Sequence, residues 1–510
     1  MQTMHRRTFL KGAVGLAGAA AAGRLSVATV RASVLGANER FRVAVCGLNG
    51  RGGNHVDGYL NLENVEIACL VDPDEKVLER ALAGLRKKLA RSPDDRGAGT
   101  SEGEGEKRRE EVVPAYEVQG VTDVRRALDD KTIDAISVAT PNHWHSLMVV
   151  WAAQAGKHCY VEKPASHDVY EGRSALEAWK KYGVVVQHGT QTRSDAKVAG
   201  LHEAIHQGRF GRLAISYGYA CKARGGIGFK PPSDPPPHLD WNIWRGPADV
   251  KQFHGNFVHY NWHWFWVTGN GELNNQGTHQ LDVAYWAVDP DQTFPVRAMA
   301  IGGRFLWKDQ GETPNTLFGI AQYPNGQWVF FNVRNVNHEG YRHQVENEYY
   351  FADGGKIARD RYYPKGSSEG EKIEVPRGKV TPGGPFGAFV AACRAGKPDM
   401  ANGTMREAHR SCVLGHLMNI SYRLGERVPF NEKAGRFGDC KDAYEHFMSL
   451  HALMRDGAGV PEDGEHYTVG PWLTFDPKTE RFTGEHAERA NALIRDPNRK
   501  GFEIPDWDKV

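Results

Sequence analysis

The sequence predicts an α/β chain in two parts: an N-terminal doubly wound parallel sheet, then a C-terminal α/β domain with an open, mostly antiparallel sheet. Three observations predict it. Short, nearly continuous apolar runs alternate with helix-patterned segments from residue 41 to about residue 190, the pattern of strands covered on both faces by crossover helices. The first run ends in a glycine-rich turn and the second in an aspartate, as the opening strand–helix–strand unit of such a sheet does. Past residue 195 the texture changes to strand-like runs separated by turn residues, with helices only late in the chain.

The elements follow in order. "FRVAVCGLNGRGG" is a strand running into a glycine turn, and "VEIACLVDPDEKVLERAL" repeats strand, acid, helix. Residues 86–111 are dense in charge of both signs and nearly free of apolar side chains, so they read as a solvated insertion. "IDAISVAT", "KHCYVE" and "VVVQHGTQ" are further strands, with "HSLMVVWAAQAG" and "DVYEGRSALEAWKKYG" as the helices between them. These close a first domain at residues 38–192. A second domain spans 193–460: "RLAISYGYAC", "VRAMAIGGRF", "TLFGIAQYP", "QWVFFNVRN" and "ENEYYFADGG" supply its strands. "GPFGAFVAACRAG" is a late helix, and a second begins at the Thr404…Glu407 capping box. The Pro-rich "FKPPSDPPPHLDW" is a surface loop placed to reach over a cleft, and residues 461–510 are set aside as a C-terminal tail.

The bulk numbers bound the function. A chain of 510 residues with a formal charge of +2 carries no electrostatic footprint for nucleic acid. No apolar run past the N-terminus is long enough for a spanning helix. At the N-terminus Arg6-Arg7 precede Phe9-Leu10-Lys11 and a weakly apolar Ala/Gly run, the pattern of a twin-arginine export signal. Residues 1–32 are therefore assigned to that signal, the export machinery becomes an expected partner, and the expected location is periplasmic or otherwise exported. Seven cysteines without CxxC spacing, Cys46, Cys69 and Cys159 among them in apolar runs, read as buried thiols.

The chemistry-bearing residues gather at strand ends. Gly47-Leu48-Asn49-Gly50-Arg51-Gly52-Gly53 approximates the G-x-G-x-x-G dinucleotide fingerprint, with Asn49 at the second glycine unless Gly50 takes that role. Asp72 ends the next strand, where a carboxylate holds a ribose 2′-hydroxyl and repels a 2′-phosphate, so NAD is expected before NADP. "VATPNHWHS" ends another parallel strand and offers Thr140, Asn142 and His145 to the nicotinamide end. His143 and His145, two residues apart with no carboxylate nearby, are a poor metal set, and no metal is expected. "CYVEKPASHD" brings Lys163 out at the same edge, where an amine can stabilise a developing alkoxide, with Glu162 to anchor it or contact the cofactor and Pro164 to fix the exit, a cis bond being plausible there.

"EKP" following "VATPNHWH" in a Rossmann-type order resembles the glucose–fructose oxidoreductase / inositol dehydrogenase (Gfo/Idh/MocA) family, as do "LDWNIWRGPA", "YNWHWFWVTGNGELNNQGTHQLDVAYW" and "FVAACRAGKP". The resemblance implies an N-terminal Rossmann domain, a sugar or cyclitol bound between the domains, and a homo-oligomer formed through the open sheet. It makes Lys163 an active-site residue. It also identifies His279 as the general acid/base of a D-x-x-x-H motif that reads Asn275-Gln276-Gly277-Thr278-His279 here, followed by Asp282. Asn275 replaces the motif's aspartate; it can hydrogen-bond a hydroxyl but cannot take its proton. Tyr260, His263 and Trp264 in "HYNWHWFW" suit the faces and hydroxyls of a sugar ring, and Arg193 is a further candidate for the cleft. The expected activity is hydride transfer at a sugar or cyclitol hydroxyl or carbonyl with tightly bound NAD. The alternative is glycoside cleavage by oxidation, elimination and re-reduction on retained NAD.

Overall fold

The computed structural model describes residues 40–90, 116–336 and 343–510. The twin-arginine segment and most of the charged insertion lie outside these residues, although positions 86–89 of the insertion are the last turn of a helix.

The first sheet has six strands: β1 (Phe41–Cys46), β2 (Val65–Val71), β3 (Gln119–Val121), β4 (Ala135–Val138), β5 (His158–Val161) and β6 (Val186–His188). Their order is β3-β2-β1-β4-β5-β6, and every pairing is parallel. Helices α1 (Arg51–Leu60), α2 (Glu75–Leu89), α3 (Val124–Asp129), α4 (His145–Gln154) and α5 (Val169–Tyr182) make the crossovers. The strand order reverses between β1 and β4, so the carboxyl ends of these two strands open a crevice at that point. β1 and β4 are apolar because both faces are covered: Val43, Val45, Ala135 and Ile136 are fully buried. Asp74, Asp123 and Asp168 cap α2, α3 and α5 through side-chain oxygens, which explains an aspartate just before each helix.

The second domain begins with α6 (Ala196–His206) and β7 (Leu213–Lys222). Short helices α7 (Trp241–Arg245) and α8 (Gly271–Asn274), then α9 (Gly277–Ala287), follow. Strands β8 (Arg297–Gly303), β9 (Thr316–Gln322), β10 (Trp328–Arg334) and β11 (His343–Phe351) form the centre of a twelve-stranded sheet with β7. β7 and β10 run parallel and the other neighbours antiparallel, so the sheet is mixed and mostly antiparallel. β12 (Lys356–Ala358), β13 (Arg361–Tyr363) and β14 (Glu371–Lys372) extend one edge.

Three segments depart from a two-block chain. α10 (Gly384–Ala395) returns to the first domain, where Phe386 stacks on Tyr160 at 4.8 Å and Phe389 meets Phe41 edge-on. α11 (Met405–Arg423) is buried along most of its length; Met405, Ala408 and Cys412 pack into the first core, while Val413, Leu414, Leu417 and Met418 pack into the second. Its Thr404–Glu407 capping box forms. β15 (Glu426–Pro429) and α12 (Lys441–Ala452) lead into a cover over the far face of β8–β10, where Phe430, Phe437, Phe447 and Leu450 meet Met299, Ile301, Phe318 and Phe330.

Residues 461–510 are not a loose tail. β16 (His466–Val469) pairs with β8 and β15, β17 (Leu473–Asp476) pairs with β8 and β18 (Arg481–Thr483), and α13 (Ala487–Asn491) follows. The last residues then cross back to the first domain, where Phe502, Ile504 and Val510 are buried in its core and Phe502 packs edge-on against Trp144. Each such apolar side chain stabilises the docking by about 1.5–3 kcal/mol. All seven cysteines are buried and free; burial raises the Cys69 thiol to about 12.

Candidate active site

A cavity of about 340 Å³ opens where the carboxyl ends of the parallel strands face the second domain. Gly47, Asn49, Gly50, Arg51, Asp72, Thr140, Asn142, His145, Glu162 and Lys163 line it from the first domain, and Tyr260, His263, Asn275 and His279 line it from the second. The structure thus brings together fourteen of the residues singled out from the sequence.

The glycine turn fits a dinucleotide. Gly50 sits at φ 90°, ψ −108°, a conformation open to glycine, and a Cβ there would meet nothing within 4 Å on the protein side. It precedes α1, whose N-terminus receives no side-chain cap; the Gly53 amide donates to the Gly50 carbonyl at 3.0 Å, which leaves the Arg51 and Gly52 amides to face a phosphate. Gly52 does not line the cavity; a Cβ on it would lie 1.9 Å from the Gly47 carbonyl oxygen, so its role is close packing within the turn. Asp72 accepts from the Leu48 amide at 2.8 Å and from the Asp74 amide at 3.0 Å, which aims its carboxylate at the turn. Burial raises its pKa against the pull of those two amides.

Glu162 and Lys163 leave β5 together, and the Lys163–Pro164 bond is cis. Glu162 accepts from Arg51 Nε at 2.7 Å, meets His55 Nε2 at 3.2 Å and accepts from Gln191 Nε2 at 3.4 Å. Burial pushes the Glu162 carboxyl up, but His55, Arg51 and Lys163 more than reverse it and hold it below the usual carboxylate range. The Lys163 amine donates to the Asn275 carbonyl at 2.9 Å and to Asn275 Oδ1 at 3.3 Å. Burial lowers its pKa, while Glu162 and Glu272 raise it. An amine with a lowered pKa beside a carboxylate is suited to holding an oxygen as its charge changes.

His279 stands on α9 on the opposite wall. Burial, then the nearby Lys163, lower it to about 3, so at neutral pH the ring is an uncharged proton acceptor. Asn275, four residues earlier, keeps its amide orientation because Nδ2 donates to Glu272 Oε2 at 3.2 Å and to the Tyr260 hydroxyl at 3.3 Å. That leaves Oδ1 for Lys163. Glu272 is buried and bound by Arg224 through two bonds of 2.8 and 3.0 Å. Arg224 in turn lies over the rings of Tyr260 and Trp264, at 5.5 and 5.4 Å. Arg224, Glu272, Asn275 and Lys163 therefore form one continuous polar chain from the aromatic wall to the reactive amine.

Four further candidates fall elsewhere or act differently. Arg193 donates from Nε to Asp282 Oδ2 at 2.7 Å and lies over Trp286; it is buried away from the cavity lining, so its charge is consumed inside the second domain. Trp264 is 5 % exposed and is not a lining residue; its carbonyl instead accepts from the Glu312 amide, and Trp262, two residues earlier, reaches the cavity stacked on His263 at 3.6 Å. His143 and His145 spend their ring nitrogens on the carbonyls of Thr268, Trp244, Pro164 and Thr140, which fixes the turn after β4 rather than offering metal ligands. Sequence reasoning missed Glu272, His55, Gln191, Trp244 and His259. Glu272 and His259 lie inside the quoted motifs, but only contact with Arg224 and Asp74 gives them meaning.

Two family models match this chain: residues 103–190 match "Oxidoreductase family, NAD-binding Rossmann fold" and residues 216–304 match "Oxidoreductase family, C-terminal alpha/beta domain", both of Gfo/Idh/MocA. Over these two stretches the chain is similar to the Gfo/Idh/MocA oxidoreductases. The first match marks an NAD-binding Rossmann domain. An alpha-N-acetylgalactosaminidase of Shewanella oneidensis is 27% identical over 230 residues, which is 42% of this chain and 45% of that protein. A levoglucosan dehydrogenase of Pseudarthrobacter phenanthrenivorans is 28% identical over 167 residues, 33% of this chain and 36% of that one. The matches span less than half the length of these relatives. Among solved structures, levoglucosan dehydrogenase in complex with NADH and levoglucosan superposes with a TM-score of 0.52 at 16% identity, covering 74% of this chain and 96% of its own. The WlbA dehydrogenase from Bordetella pertussis, in complex with NADH and UDP-GlcNAcA, gives 0.52 at 18%, covering 76% and 97%. At these identities the likeness is one of fold.

Proposed function

We propose that this chain is an exported oxidoreductase of the Gfo/Idh/MocA family that acts on a sugar or cyclitol hydroxyl or carbonyl and keeps its NAD tightly bound. The observation that carries the reading is the shared cavity: Lys163 and His279, from separate domains, line one space with the glycine turn and Asp72. The residues on the cofactor side fit NAD better than NADP, because the Asp72 carboxylate would accept from a ribose hydroxyl and repel a phosphate in its place. Bound there, NAD supplies the two-electron acceptor for the hydride leaving a carbinol carbon.

The chain supplies the rest. His279, uncharged at neutral pH, takes the hydroxyl proton as the carbon–oxygen bond gains double-bond character, and returns it in the reverse direction. Lys163 donates to the same oxygen and offsets the negative charge it develops, while the Asn275 carbonyl holds the amine in place. Tyr260 and Trp262 offer ring faces to the apolar side of the sugar. Asn275 cannot relay a proton, so the transfer rests on His279 alone. As pH rises through the lowered pKa of Lys163, the ammonium and with it the oxygen's stabilisation are lost; as pH falls toward about 3, His279 loses its accepting form.

The second reading, glycoside cleavage on retained NAD, is favoured by the alpha-N-acetylgalactosaminidase and the glycosyl hydrolase family 109 proteins among the relatives. With NAD held there, oxidation at one ring carbon would acidify the neighbouring C–H, elimination would expel the protonated aglycone, water would add to the resulting enone, and return of the hydride would leave the cofactor unchanged overall. A homo-oligomer is part of the proposal; its contact has to lie outside the part of the sheet that Phe430, Phe437 and Phe447 cover. Export rests on the N-terminal twin-arginine pattern and is checked by replacing Arg6-Arg7 with lysines and following the protein to its compartment.

The test is to denature the purified protein, identify any released nucleotide by mass, and then offer the native protein a panel of polyols, sugars and aryl glycosides. Reduced-nicotinamide absorbance supports the first reading. Release of the aryl group without net change in absorbance supports the second. No nucleotide in the protein, and none taken up on addition, overturns both.

A further inference from the structure

The Pro-rich stretch read as a surface loop is the start of a longer segment that crosses from the second domain onto the first. Residues 227–267 hold an apolar cluster of their own, in which Leu239, Trp244, Val250, Phe253, Phe257, Trp262 and Phe265 are buried together. The segment therefore has the stiffness of a small packed unit.

Its fastenings are specific. Leu239 bridges Asp74, the Glu75 amide donates to the His238 carbonyl at 2.9 Å, and the Asp240 amide donates to the Pro73 carbonyl at 2.9 Å. The two oxygens of the buried Asp74 carboxylate are divided between two imidazoles of the segment: Oδ1 is 3.1 Å from His238 Nδ1 and Oδ2 is 3.2 Å from His259 Nε2. Asp74 is also the cap of α2, so it is held from its own side as well. Further along, the Trp244 carbonyl accepts from Trp144 Nε1 at 3.0 Å, and Arg499 donates to the Gly246 carbonyl at 2.8 Å.

Position gives these contacts their meaning. Asp72 and Pro73 line the cavity where the adenosine ribose of a bound dinucleotide would lie, and Asp74 is two residues on. Within residues 238–263 the segment contributes Ile243, Trp244, His259, Tyr260, Trp262 and His263 to the lining of that same cavity.

We propose that residues 238–263 are part of the cofactor site, and that the Asp74–His238–His259 clasp is the positioning element that closes them over the dinucleotide and keeps it in place between turnovers. The inference rests on the NAD reading above and goes beyond it, since it names the residues that set the rate of cofactor release. A nucleotide that stays through the cycle must be returned to its starting redox state inside the cavity, which is the condition an exported enzyme of this kind would have to meet.

The experiment loads the full-length protein with radiolabelled NAD, desalts it and chases with excess unlabelled NAD. Wild type is expected to keep the label through desalting, and the double variant H238A/H259A to release it about tenfold or more faster. D74N, which keeps an oxygen for the helix cap, is expected to fall between them. Equal release rates in wild type and the double variant, or loss of label from wild type during mixing, would overturn the clasp. Failure of wild type to take up label, in a preparation that also releases no nucleotide on denaturation, would overturn the NAD reading itself. Because the double variant removes contacts that join the domains, a second measurement uses wild type alone: amide hydrogen exchange across residues 238–246 is expected to slow when NAD is bound, and unchanged exchange contradicts the proposal.

Discussion

On the cofactor side of the cavity, Gly47, Asp72 and Glu162 each come directly after a parallel strand, and Thr140 and Lys163 stand one position further on. On the facing side, Tyr260, His263, Asn275 and His279 stand on short helices and turns, and their settings depend on partners far away in sequence: Lys163 for Asn275, and Arg224 for Glu272 and the Tyr260 ring. The first wall is a product of topology, since a parallel strand can deliver its next residue only to the carboxyl edge. The second is in large part a product of a network, in which Asn275, Glu272 and Tyr260 are held by one another and by Lys163 and Arg224. A change on the first wall should therefore act on one group, and a change on the second should spread.

The largest expected effect is at His279. H279A should lower turnover by about 10²–10⁴, the range for loss of a positioned acid–base group, without loss of bound nucleotide. Steady-state rates and nucleotide content of the same preparation separate the two. K163A comes next, at about 10²–10³ in turnover, again with nucleotide retained. If either variant loses its nucleotide as well, the two walls are not separable in the way described.

E272Q tests the network. Glu272 raises the pKa of Lys163, so the neutral glutamine should let that pKa fall further. The sign is fixed: the ammonium is lost at lower pH, and the alkaline limb of the rate profile moves down. Competitive acetylation of Lys163 at a series of pH values, read by mass spectrometry, should show the midpoint moving the same way before any substrate is known. An unmoved midpoint would detach Glu272 from the active amine. D72N should have the smallest effect on turnover. It removes a carboxylate that serves two backbone amides, and should narrow the preference for NAD over NADP by about tenfold while leaving the acetylation midpoint of Lys163 in place.

The same contrast explains what the sequence reveals. The alternation of strands and helices, the glycine turn and "EKP" report the first domain because each is local, and the residues on that wall fall where their strands end. Trp264 shows the limit: in "HYNWHWFW" every aromatic is a candidate, and only packing decides that Trp262 faces the cavity while Trp264 turns toward Arg224. Arg193 shows another, because an arginine after a strand end can reach a cleft or, as here, a buried aspartate 89 positions away. Residues 461–510 read as a tail because β16 and β17 have four residues each and little apolar content; their place is set by the edges of β8 and β15, which composition does not register. α10 is legible as a helix, but its return to Tyr160 and Phe41 depends on a surface left open beside α1.

The most direct measurement of the central claim is a crystal structure of the protein with NADH and the polyol or sugar selected by the substrate panel. The account predicts the nicotinamide ring in the cavity between the Gly47–Arg51 turn and His279, with the Lys163 amine and the His279 ring both in hydrogen-bond contact with one substrate oxygen. A ligand oxygen held by only one of the two, or a nicotinamide bound away from them, would contradict it.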